Sequence, residues 1–325
     1  MARFNLAACR RSMSNEQHVG TSVALLVCAA LAWFTPAGHA KAAAGEADDV
    51  LRVCADPSNM PLSNERGEGY ENKIANELAQ DLGRRVEFTF FPQRMGFVRN
   101  TLRSRDEATQ RFKCDVIIGV PKGFEMAATT QPYMRSTYAL VFPARADLAR
   151  LRVADDLRQL SPEQLQKLHI GVFGRSPGAD WLLRNGLIER AVVYSPQSGD
   201  PAESPAHTIE QDLASGKIDM AIVWGPIAGF LASRHEGEPA WRSVPFTPDP
   251  EIKFDYEIAM GVRFGEQEWK DTLDRWISGH QEKVHDILAS YRVPLLDASG
   301  NVIAPRDAAR EGAASKTNPP PDRPD

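Results

Sequence analysis

The sequence predicts an α/β protein built from two lobes. Short apolar runs that end in Gly- or Pro-containing loops alternate with helical patterns, which is typical of parallel sheets covered by helices. This alternation occurs twice, at 51–121 and at 161–226. A long apolar run at 130–142 leads out of the first set, and another at 257–264 returns after the second. We therefore expect two parallel-rich sheets that are linked by two crossing strands.

The first set contains three strands and two helices, in the order of a right-handed βαβ arrangement. Apolar side chains recur at four-residue steps after Glu71, and Gly83 is expected to end that helix. The predicted elements are a strand at 51–55, a helix at 71–82, a strand at 86–91, a helix from Pro92 that carries Phe97, Val98 and Leu102, and a strand at 114–121.

The second set repeats the alternation and ends in a long helix. Ser161 is a good N-cap and Pro162 suits the first helical position. The predicted elements are a helix from Pro162, a strand at 170–173, a helix at 179–185, a strand at 191–194, a loop at 197–206, a helix at 208–215, a strand at 220–224 and a closing helix at 269–291.

Composition indicates an ordinary globular protein and argues against a nucleic-acid ligand. The 325 residues are 42% hydrophobic and 25% charged, with a formal net charge of −5. Nucleic-acid binding calls for clustered Lys and Arg, which this acidic chain lacks. No basic amphipathic stretch suggests a helix on a membrane surface, so no membrane insertion is expected after export.

The first 40 residues are typical of a cleavable signal peptide. Arg10 and Arg11 precede the apolar run 23–34, and small residues follow it up to Ala40. An uncleaved anchor is the alternative, but the run is short for a transmembrane helix. The predicted organisation is a signal peptide at 1–40, a linker at 41–49, lobe 1 at 50–140 plus 258–297, lobe 2 at 141–257, and a disordered tail at 305–325.

Removal of the signal leaves two cysteines, Cys54 and Cys114. A pair of cysteines in an exported protein indicates a disulfide. The two residues lie on different predicted strands, however, and simple parallel register would place their sulfurs too far apart to bond. The sequence leaves both possibilities open. It contains no CxxC motif or Cys/His cluster, so no metal site is expected.

Loops at equivalent strand ends predict a cleft between the lobes. In open α/β sheets, ligands bind at the carboxyl ends of strands. The loops concerned are 56–64, 119–123, 224–229 and 175–178, and the last could offer free amides to an anion. The candidate cleft residues are Asp56, Asn59, Met60, Glu71, Arg94, Gly119, Pro121, Tyr133, Arg135, Ser176, Trp224 and Gly225.

Each of these residues also has a purely structural explanation. The glycines and prolines turn the chain, and the charges can be solvated or paired at the surface. Tyr70 and Trp181 could also line the cleft, but these rings, like those of Tyr133 and Trp224, can equally well pack in the core. No nucleophile elbow or phosphate-binding loop is present, and the carboxylates are scattered. A catalytic role therefore has no positive support, and the chain is not expected to be an enzyme.

Several motifs resemble one family of exported proteins. The predicted two-lobe order, the export signal and a Thr-x-Pro-Tyr step before the crossing strand are similar to type II periplasmic solute-binding proteins of family 3. The more specific segments resemble the MxaJ/XoxJ branch, which is associated with quinoprotein dehydrogenases of methylotrophic bacteria. These segments are Arg52-Val-Cys-Ala-Asp-Pro57, Phe97-Val-Arg-Asn-Thr-Leu102, Cys114-Asp-Val116, Pro132-Tyr133 with Arg135-Ser136, and Val223-Trp-Gly-Pro226.

The resemblance covers about residues 51–294 and implies a periplasmic role in methanol oxidation. A protein of this branch is expected to be an accessory factor that binds part of the dehydrogenase, or a small ligand, in its cleft. Pyrroloquinoline quinone (PQQ) and a metal would belong to the partner dehydrogenase and not to this chain. A transport receptor for a small polar solute is the alternative that the resemblance allows.

One departure from the wider family argues against a standard amino acid as ligand. Amino-acid receptors of this fold resemble one another in an Arg shortly before the Pro-Tyr step and an acidic residue after a strand of the second lobe. The segment that corresponds to the first of these positions, 122–128, contains no Arg. The segment that corresponds to the second, 224–226, contains no acidic residue. A zwitterion would leave polar groups unpaired, at about 1–3 kcal/mol for each group.

Overall fold

Nine of the described strands form one continuous hydrogen-bonded order in which a single long strand belongs to two sheets, and the short strands Ser58–Asn59 and Ser63–Asn64 pair separately with each other. The computed structural model describes residues 49–195 and 204–303. The predicted signal peptide, nearly all of the linker at 41–49, most of the loop at 197–206 and the predicted tail at 305–325 lie outside the described residues.

The elements follow one another in this order: β1 (Val50–Ala55), β2 (Ser58–Asn59), β3 (Ser63–Asn64), α1 (Tyr70–Asp81), β4 (Arg85–Phe90), α2 (Phe97–Asn100), β5 (Val116–Pro121), β6 (Ala128–Pro143), α3 (Pro162–Gln166), β7 (Ile170–Phe173), α4 (Pro177–Arg184), β8 (Ala191–Tyr194), α5 (Pro205–Ala214), β9 (Met220–Trp224), α6 (Gly225–Arg234), β10 (Trp241–Pro245), β11 (Asp255–Val262) and α7 (Gln267–Ala289).

The first sheet has the order β4-β1-β5-β11-β6, and the second has β6-β9-β7-β8 with β10 on the other side of β6. Strands within each βαβ set are parallel, whereas β6, β10 and β11 pair antiparallel. The sheets are therefore mixed, and β6 links them. The predicted lobe boundaries at 140 and 257 fall inside β6 and β11, the two crossing strands.

Each sheet has its own hydrophobic core. Helices α1 and α7 cover the first sheet with side chains such as Ile74, Leu78 and Ile277, none of which is measurably exposed. Trp181 and Leu182 of α4 pack on the second sheet. Trp181 had been a candidate cleft residue, but it is fully buried and lies edge-on to Phe246, with 5.3 Å between the ring centroids. The face of α4 that carries Trp181 is turned toward the sheet, so this side chain belongs to the core.

Two predicted elements differ from the structure for local reasons. The helix expected from Pro92 is a single turn, α2, because the chain bends at Gly96, whose φ is +92°. The loop expected at 224–229 is the start of helix α6. Pro226 lacks an N–H but loses nothing in a first helical turn, so the Gly-Pro pair that resembles a turn begins a helix here.

Cys54 and Cys114 form a disulfide in the structure, with their Cα atoms 5.4 Å apart. Strand β5 pairs Cys54 with Ile117, three residues beyond Cys114. A straight strand would carry Cys114 away from its partner, but β5 begins only at Val116 and the chain bends at Asp115. This bend brings the two residues within the ordinary range for a disulfide.

Candidate functional site

A cavity of about 270 Å³ lies where the crossing strands meet the strand ends of both sheets. We call it the cleft cavity. Its lining residues come from the β2–β3 loop, the start of α1, the β4–α2 loop, the end of β5, the two crossing strands and the end of β9. They are Leu62, Tyr70, Glu71, Gln93, Gly119, Val120, Pro121, Met134, Tyr138, Trp224, Tyr256 and Ile258.

Glu71 is the only acidic residue among these lining residues, and none of them is a Lys, Arg or His. It is 6% exposed. Burial and, secondarily, the charge of Asp56 raise the pKa of Glu71 from 4.5 to about 8. Within the described part of the chain, Glu71 takes part in no ion pair. The cleft cavity therefore holds one buried carboxyl group that is mainly protonated at neutral pH.

The position of Glu71 is set by the loop that precedes α1. Its backbone N–H donates to the carbonyl of Leu62 at 2.9 Å, and that of Tyr70 donates to Pro61 at the same distance. Asn72 accepts hydrogen bonds from the backbone N–H groups of Gly69 and Asn64, at 3.1 and 3.0 Å. These bonds satisfy donors around the helix N-terminus and fix the direction in which the Glu71 side chain leaves the helix.

Gly119 is required where the Glu71 carboxyl meets strand β5. A Cβ atom added at Gly119 would lie 2.0 Å from Oε1 of Glu71. Any larger residue would therefore displace the carboxyl from the cavity wall. Gly119 acts by allowing this close approach, and its carbonyl oxygen accepts a hydrogen bond from the Gln93 side chain at 3.4 Å.

Gln93, which was not predicted from sequence, connects three parts of the cleft. Its backbone N–H donates to Oδ2 of Asp56, and its side-chain oxygen accepts from Nδ2 of Asn59 at 3.2 Å. Asp56 also accepts from the backbone N–H of Ser58 at 2.8 Å. Asp56 and Asn59 thus hold the loop, whereas Gln93 lines the cavity itself. Sequence offered no signal, because Gln93 sits in a polar loop like many others.

Three aromatic rings form one wall of the cleft cavity. The ring centroids of Tyr138 and Trp224 are 5.6 Å apart with an interplanar angle of 63°, and those of Trp224 and Tyr256 are 5.8 Å apart at 78°. All three side chains are half-buried. Because the rings are steeply inclined to one another, they enclose a volume rather than forming a flat stack. Tyr138 and Tyr256 were not predicted.

Tyr133 lies behind this site. Its side chain is 3% exposed and belongs to the core of the first sheet. Its hydroxyl is buried without a hydrogen-bond partner in the described structure. Burial, followed by the negative charge of Glu71 and then Tyr70, raises the pKa of Tyr133 well above its usual value. Tyr133 therefore stays a neutral phenol that borders the carboxyl from the core side.

Of the twelve residues predicted from sequence, four line the cleft cavity: Glu71, Gly119, Pro121 and Trp224. Met60 lines a different cavity, of about 320 Å³, between the β2–β3 hairpin and helices α5 and α6. Arg94 is half-buried and does not line the cleft cavity.

The remaining predicted residues have structural partners. Arg135 pairs with Asp255 across the two crossing strands, with Nη2 and Oδ2 2.6 Å apart, and donates to the carbonyl of Ala298 at 3.0 Å. Ser176 is the N-cap of α4 and accepts from the N–H of Ala179 at 3.3 Å.

Gly225 allows α6 to begin against β6. A Cβ at Gly225 would lie 2.2 Å from the carbonyl oxygen of Thr137. A side chain here would push the start of the helix, and Trp224 with it, away from the crossing strand. Gly225 therefore positions one wall of the cleft without lining it.

Cations near the cleft have other partners. Lys122, in the segment where amino-acid receptors of this fold carry an Arg, donates to the carbonyl of Thr130. Lys253 lies outside the lining and sits over the Tyr256 ring, 5.0 Å from its centroid. Within residues 49–195 and 204–303, no helix combines the length and apolarity needed to cross a bilayer.

Comparison with known proteins identifies the relatives of this chain, although no family model matches it. It is 28% identical over 297 residues to the protein MoxJ of Methylorubrum extorquens, which covers 86% of this chain and 93% of MoxJ. The crystal structure of MxaJ from Methylophaga aminisulfidivorans superposes with a TM-score of 0.59 at 26% identity, over 76% of this chain and all of that one.

The periplasmic binding protein XoxJ of Methylobacterium extorquens superposes with a TM-score of 0.60 at 35% identity. That match covers 76% of this chain and 99% of XoxJ. The two mixed sheets, the crossing strands and the cleft between them agree with this relationship. The chain belongs to the type II periplasmic binding proteins, in the branch of MxaJ and XoxJ.

Proposed function

We propose that this protein is a periplasmic accessory factor of a PQQ-dependent methanol or alcohol dehydrogenase, and that its cleft binds a segment of that enzyme or a small ligand. The observation that carries the proposal is the 35% identity to XoxJ over nearly the whole length of XoxJ. Catalysis, PQQ and the catalytic metal belong to the dehydrogenase in this proposal.

The chemistry of the cleft cavity supports a role other than amino-acid transport. Its lining offers one carboxyl group, amide and phenol groups and apolar surface, but no cation for a ligand carboxylate. An amino-acid zwitterion would bury its carboxylate without a charged partner, which costs more than the 1–3 kcal/mol of an unpaired neutral group. The described lining of the cleft cavity therefore favours a ligand other than an amino acid.

Affinity capture tests the proposal. The tagged mature chain is incubated with periplasmic extract from a methanol-grown methylotroph, and retained proteins are identified by mass spectrometry and by PQQ absorbance. We expect a quinoprotein dehydrogenase to be retained. The variant Leu183→Ser, which changes a 63% exposed side chain on α4, is a matched surface control. If the folded protein retains no quinoprotein dehydrogenase, the proposal is wrong.

A transport receptor for a small polar solute is the second candidate, and the cleft cavity itself is the observation that favours it. Such receptors close on their ligand. Calorimetry against neutral sugars, polyols and small anions separates the two candidates. Micromolar binding of one such solute, together with failure to retain a dehydrogenase, would favour the transport receptor.

A further inference from the structure

The geometry of the cleft cavity points to its ligand class: we propose that it binds an alkylammonium group between Glu71 and the rings of Tyr138, Trp224 and Tyr256. This inference rests on the proposed function in one respect, that the cleft is a binding site. It goes further by naming the chemistry of the ligand.

The charge of the site favours a cation as the ligand. Glu71 is 6% exposed, lines the cavity and forms no ion pair within the described residues. Because a buried carboxylate without a partner is expensive, the free site keeps the Glu71 carboxyl protonated at neutral pH. An arriving cation would stabilise the ionised carboxylate without displacing an existing ion-pair partner. An anion would face the carboxylate and find no cation among the lining residues.

The aromatic wall of the cavity also favours a cation. Cations bind the faces of Trp and Tyr rings within about 6 Å of the centroid, and aromatic cages are the usual receptors for alkylated ammonium groups. Trp224 is inclined at 63° and 78° to its two neighbours, so a group in the cavity meets rings from several directions. Lys253 already lies 5.0 Å from the centroid of Tyr256, so this ring carries one cation contact in the free protein.

The size and hydration of the cavity favour an alkylated ammonium group. The cavity of about 270 Å³ is below the ~300–1,000 Å³ typical of pockets for drug-sized ligands. A compact ammonium group with methyl substituents suits a space bounded by rings and by apolar side chains such as Leu62 and Ile258. A bare ammonium would need hydrogen-bond acceptors on all sides, which Glu71 and Gln93 cannot supply together.

The ligand group has two sources. It can belong to a free solute or to an N-methylated lysine side chain of the dehydrogenase, and both present a methyl-substituted ammonium to the same carboxyl and rings. Adding choline to the captured dehydrogenase complex distinguishes them. Release of the enzyme by choline identifies the partner as the source, and retention identifies a free solute.

The central experiment compares two probes that differ only in charge. Binding of choline and of its neutral carbon isostere, 3,3-dimethyl-1-butanol, is measured by calorimetry and by tryptophan fluorescence at pH 9. We expect choline to bind at least about tenfold more tightly, which corresponds to 1.4 kcal/mol. Equal affinity for the two probes, or no choline binding up to about 1 mM, would overturn the inference.

Two variants test the role of the carboxyl. Glu71→Gln keeps the shape of the side chain and removes its charge, so it should lower choline affinity at least about tenfold and leave the isostere unaffected. Glu257→Gln is the matched control, because Glu257 adjoins Tyr256 on β11 but is exposed and does not line the cavity. Unchanged choline binding by a folded Glu71→Gln variant would contradict the proposal.

The pH dependence gives an independent readout. Choline carries no titrating group and binds the ionised carboxyl, so its affinity should follow the ionised fraction of Glu71. It should rise about 50-fold from pH 6 to pH 8 and level off above the Glu71 pKa of about 8. The other ionisable groups around Glu71 are Asp56, Tyr70 and Tyr133, and the cavity adds Tyr138 and Tyr256. The pKa values of all four tyrosines are raised by burial, so these groups stay neutral over this range.

The outcome also separates this inference from the proposed function. If the dehydrogenase is captured but choline does not bind, only the ligand class is wrong. If choline binds and the dehydrogenase is not captured, the accessory role is wrong and the cleft assignment stands.

Discussion

Glu71 lies in the first turn of α1, where the partial positive charge of a helix N-terminus favours an ionised carboxylate by about 0.3–1 kcal/mol. Burial acts in the opposite direction. A rise of the pKa from 4.5 to about 8 corresponds to roughly 5 kcal/mol, so desolvation outweighs the helix dipole. A residue position that resembles a helix-stabilising acid in the sequence is a buried carboxyl with a raised pKa in the structure.

The raised pKa of Glu71 predicts that this residue lowers the free energy of unfolding as the pH rises. Because the folded state holds the proton more tightly than the unfolded state, the contribution of Glu71 to stability is greatest below pH 4.5 and falls as pH rises to about 8. Relative to Glu71→Gln, the free energy of unfolding of the wild type should therefore decrease between pH 5 and pH 9 by on the order of 4 kcal/mol. Urea denaturation of both proteins at several pH values measures the difference.

A constant difference between the two proteins across that range would show that the Glu71 carboxyl titrates normally. Glu257→Gln is again the control, because an exposed carboxyl should change stability by no more than about 0.5 kcal/mol at any of these pH values.

Substitution of alanine for glycine should have opposite effects on the free energy of unfolding at two helical positions. A Cβ at Gly229 of α6 would lie 2.0 Å from the backbone carbonyl oxygen of Arg292, whereas a Cβ at Gly279 of α7 would have no atom within 4 Å. Gly229→Ala should lower the free energy of unfolding by at least about 2 kcal/mol. Gly279→Ala should raise it by less than about 1 kcal/mol, since alanine favours the helix but Gly279 directly precedes His280, where α7 is kinked. Chemical denaturation of each variant gives both signs, and a neutral Gly229→Ala would contradict the packing of α6 on that loop.

At the scale of elements, sequence predicted those whose pattern is local. The four-residue spacing of Ile74 and Leu78 led to α1, and Gly83, with φ at +65°, follows its end as expected. Helix α6 was missed because Gly225-Pro226 has the composition of a turn. Only the close approach of Gly225 to Thr137 in the folded chain shows why glycine begins a helix at that point.

The cleft was harder to predict than the elements around it. Glu71, Gly119, Pro121 and Trp224 stand at strand or helix ends, so topology alone could suggest them. Met134, Tyr138, Tyr256 and Ile258 come from the middle of the crossing strands. Strand β6 is mostly buried on both faces, so its sequence shows little alternation, and nothing local indicates which face meets the cavity.

The disulfide between Cys54 and Cys114 should contribute substantially to the stability of the protein. Cys54 and Cys114 are separated by 60 residues, and closing a loop of that length restricts the unfolded chain by about 4 kcal/mol in the entropic description. Cys54→Ser with Cys114→Ser should therefore lower the free energy of unfolding by roughly 2–4 kcal/mol. Denaturation of the wild type with and without reductant should show a shift of the same size, and the double variant should be insensitive to reductant.

The whole molecule is organised around the shared strand. Residues Ala128–Thr137 of β6 pair with β11 in the first sheet, and Tyr138–Pro143 pair with β9 and β10 in the second. Arg135 and Asp255 add an ion pair at the crossing. The cleft cavity lies at this crossing, so the same strands that join the cores also carry ring and apolar groups to the site. Loss of either sheet would therefore remove one wall of the cavity.

This shared strand predicts a single cooperative unfolding transition. Ile74→Ala in the first core and Leu182→Ala in the second remove fully buried side chains, and each should cost about 2–5 kcal/mol. If β6 couples the cores, both variants should shift one common transition in calorimetry and in tryptophan fluorescence. Leu183→Ala is the matched control, because this neighbour of Leu182 is 63% exposed and should change stability by less than about 0.5 kcal/mol. Two separate transitions, each sensitive to only one of the core variants, would show that the sheets unfold independently and that β6 does not couple them.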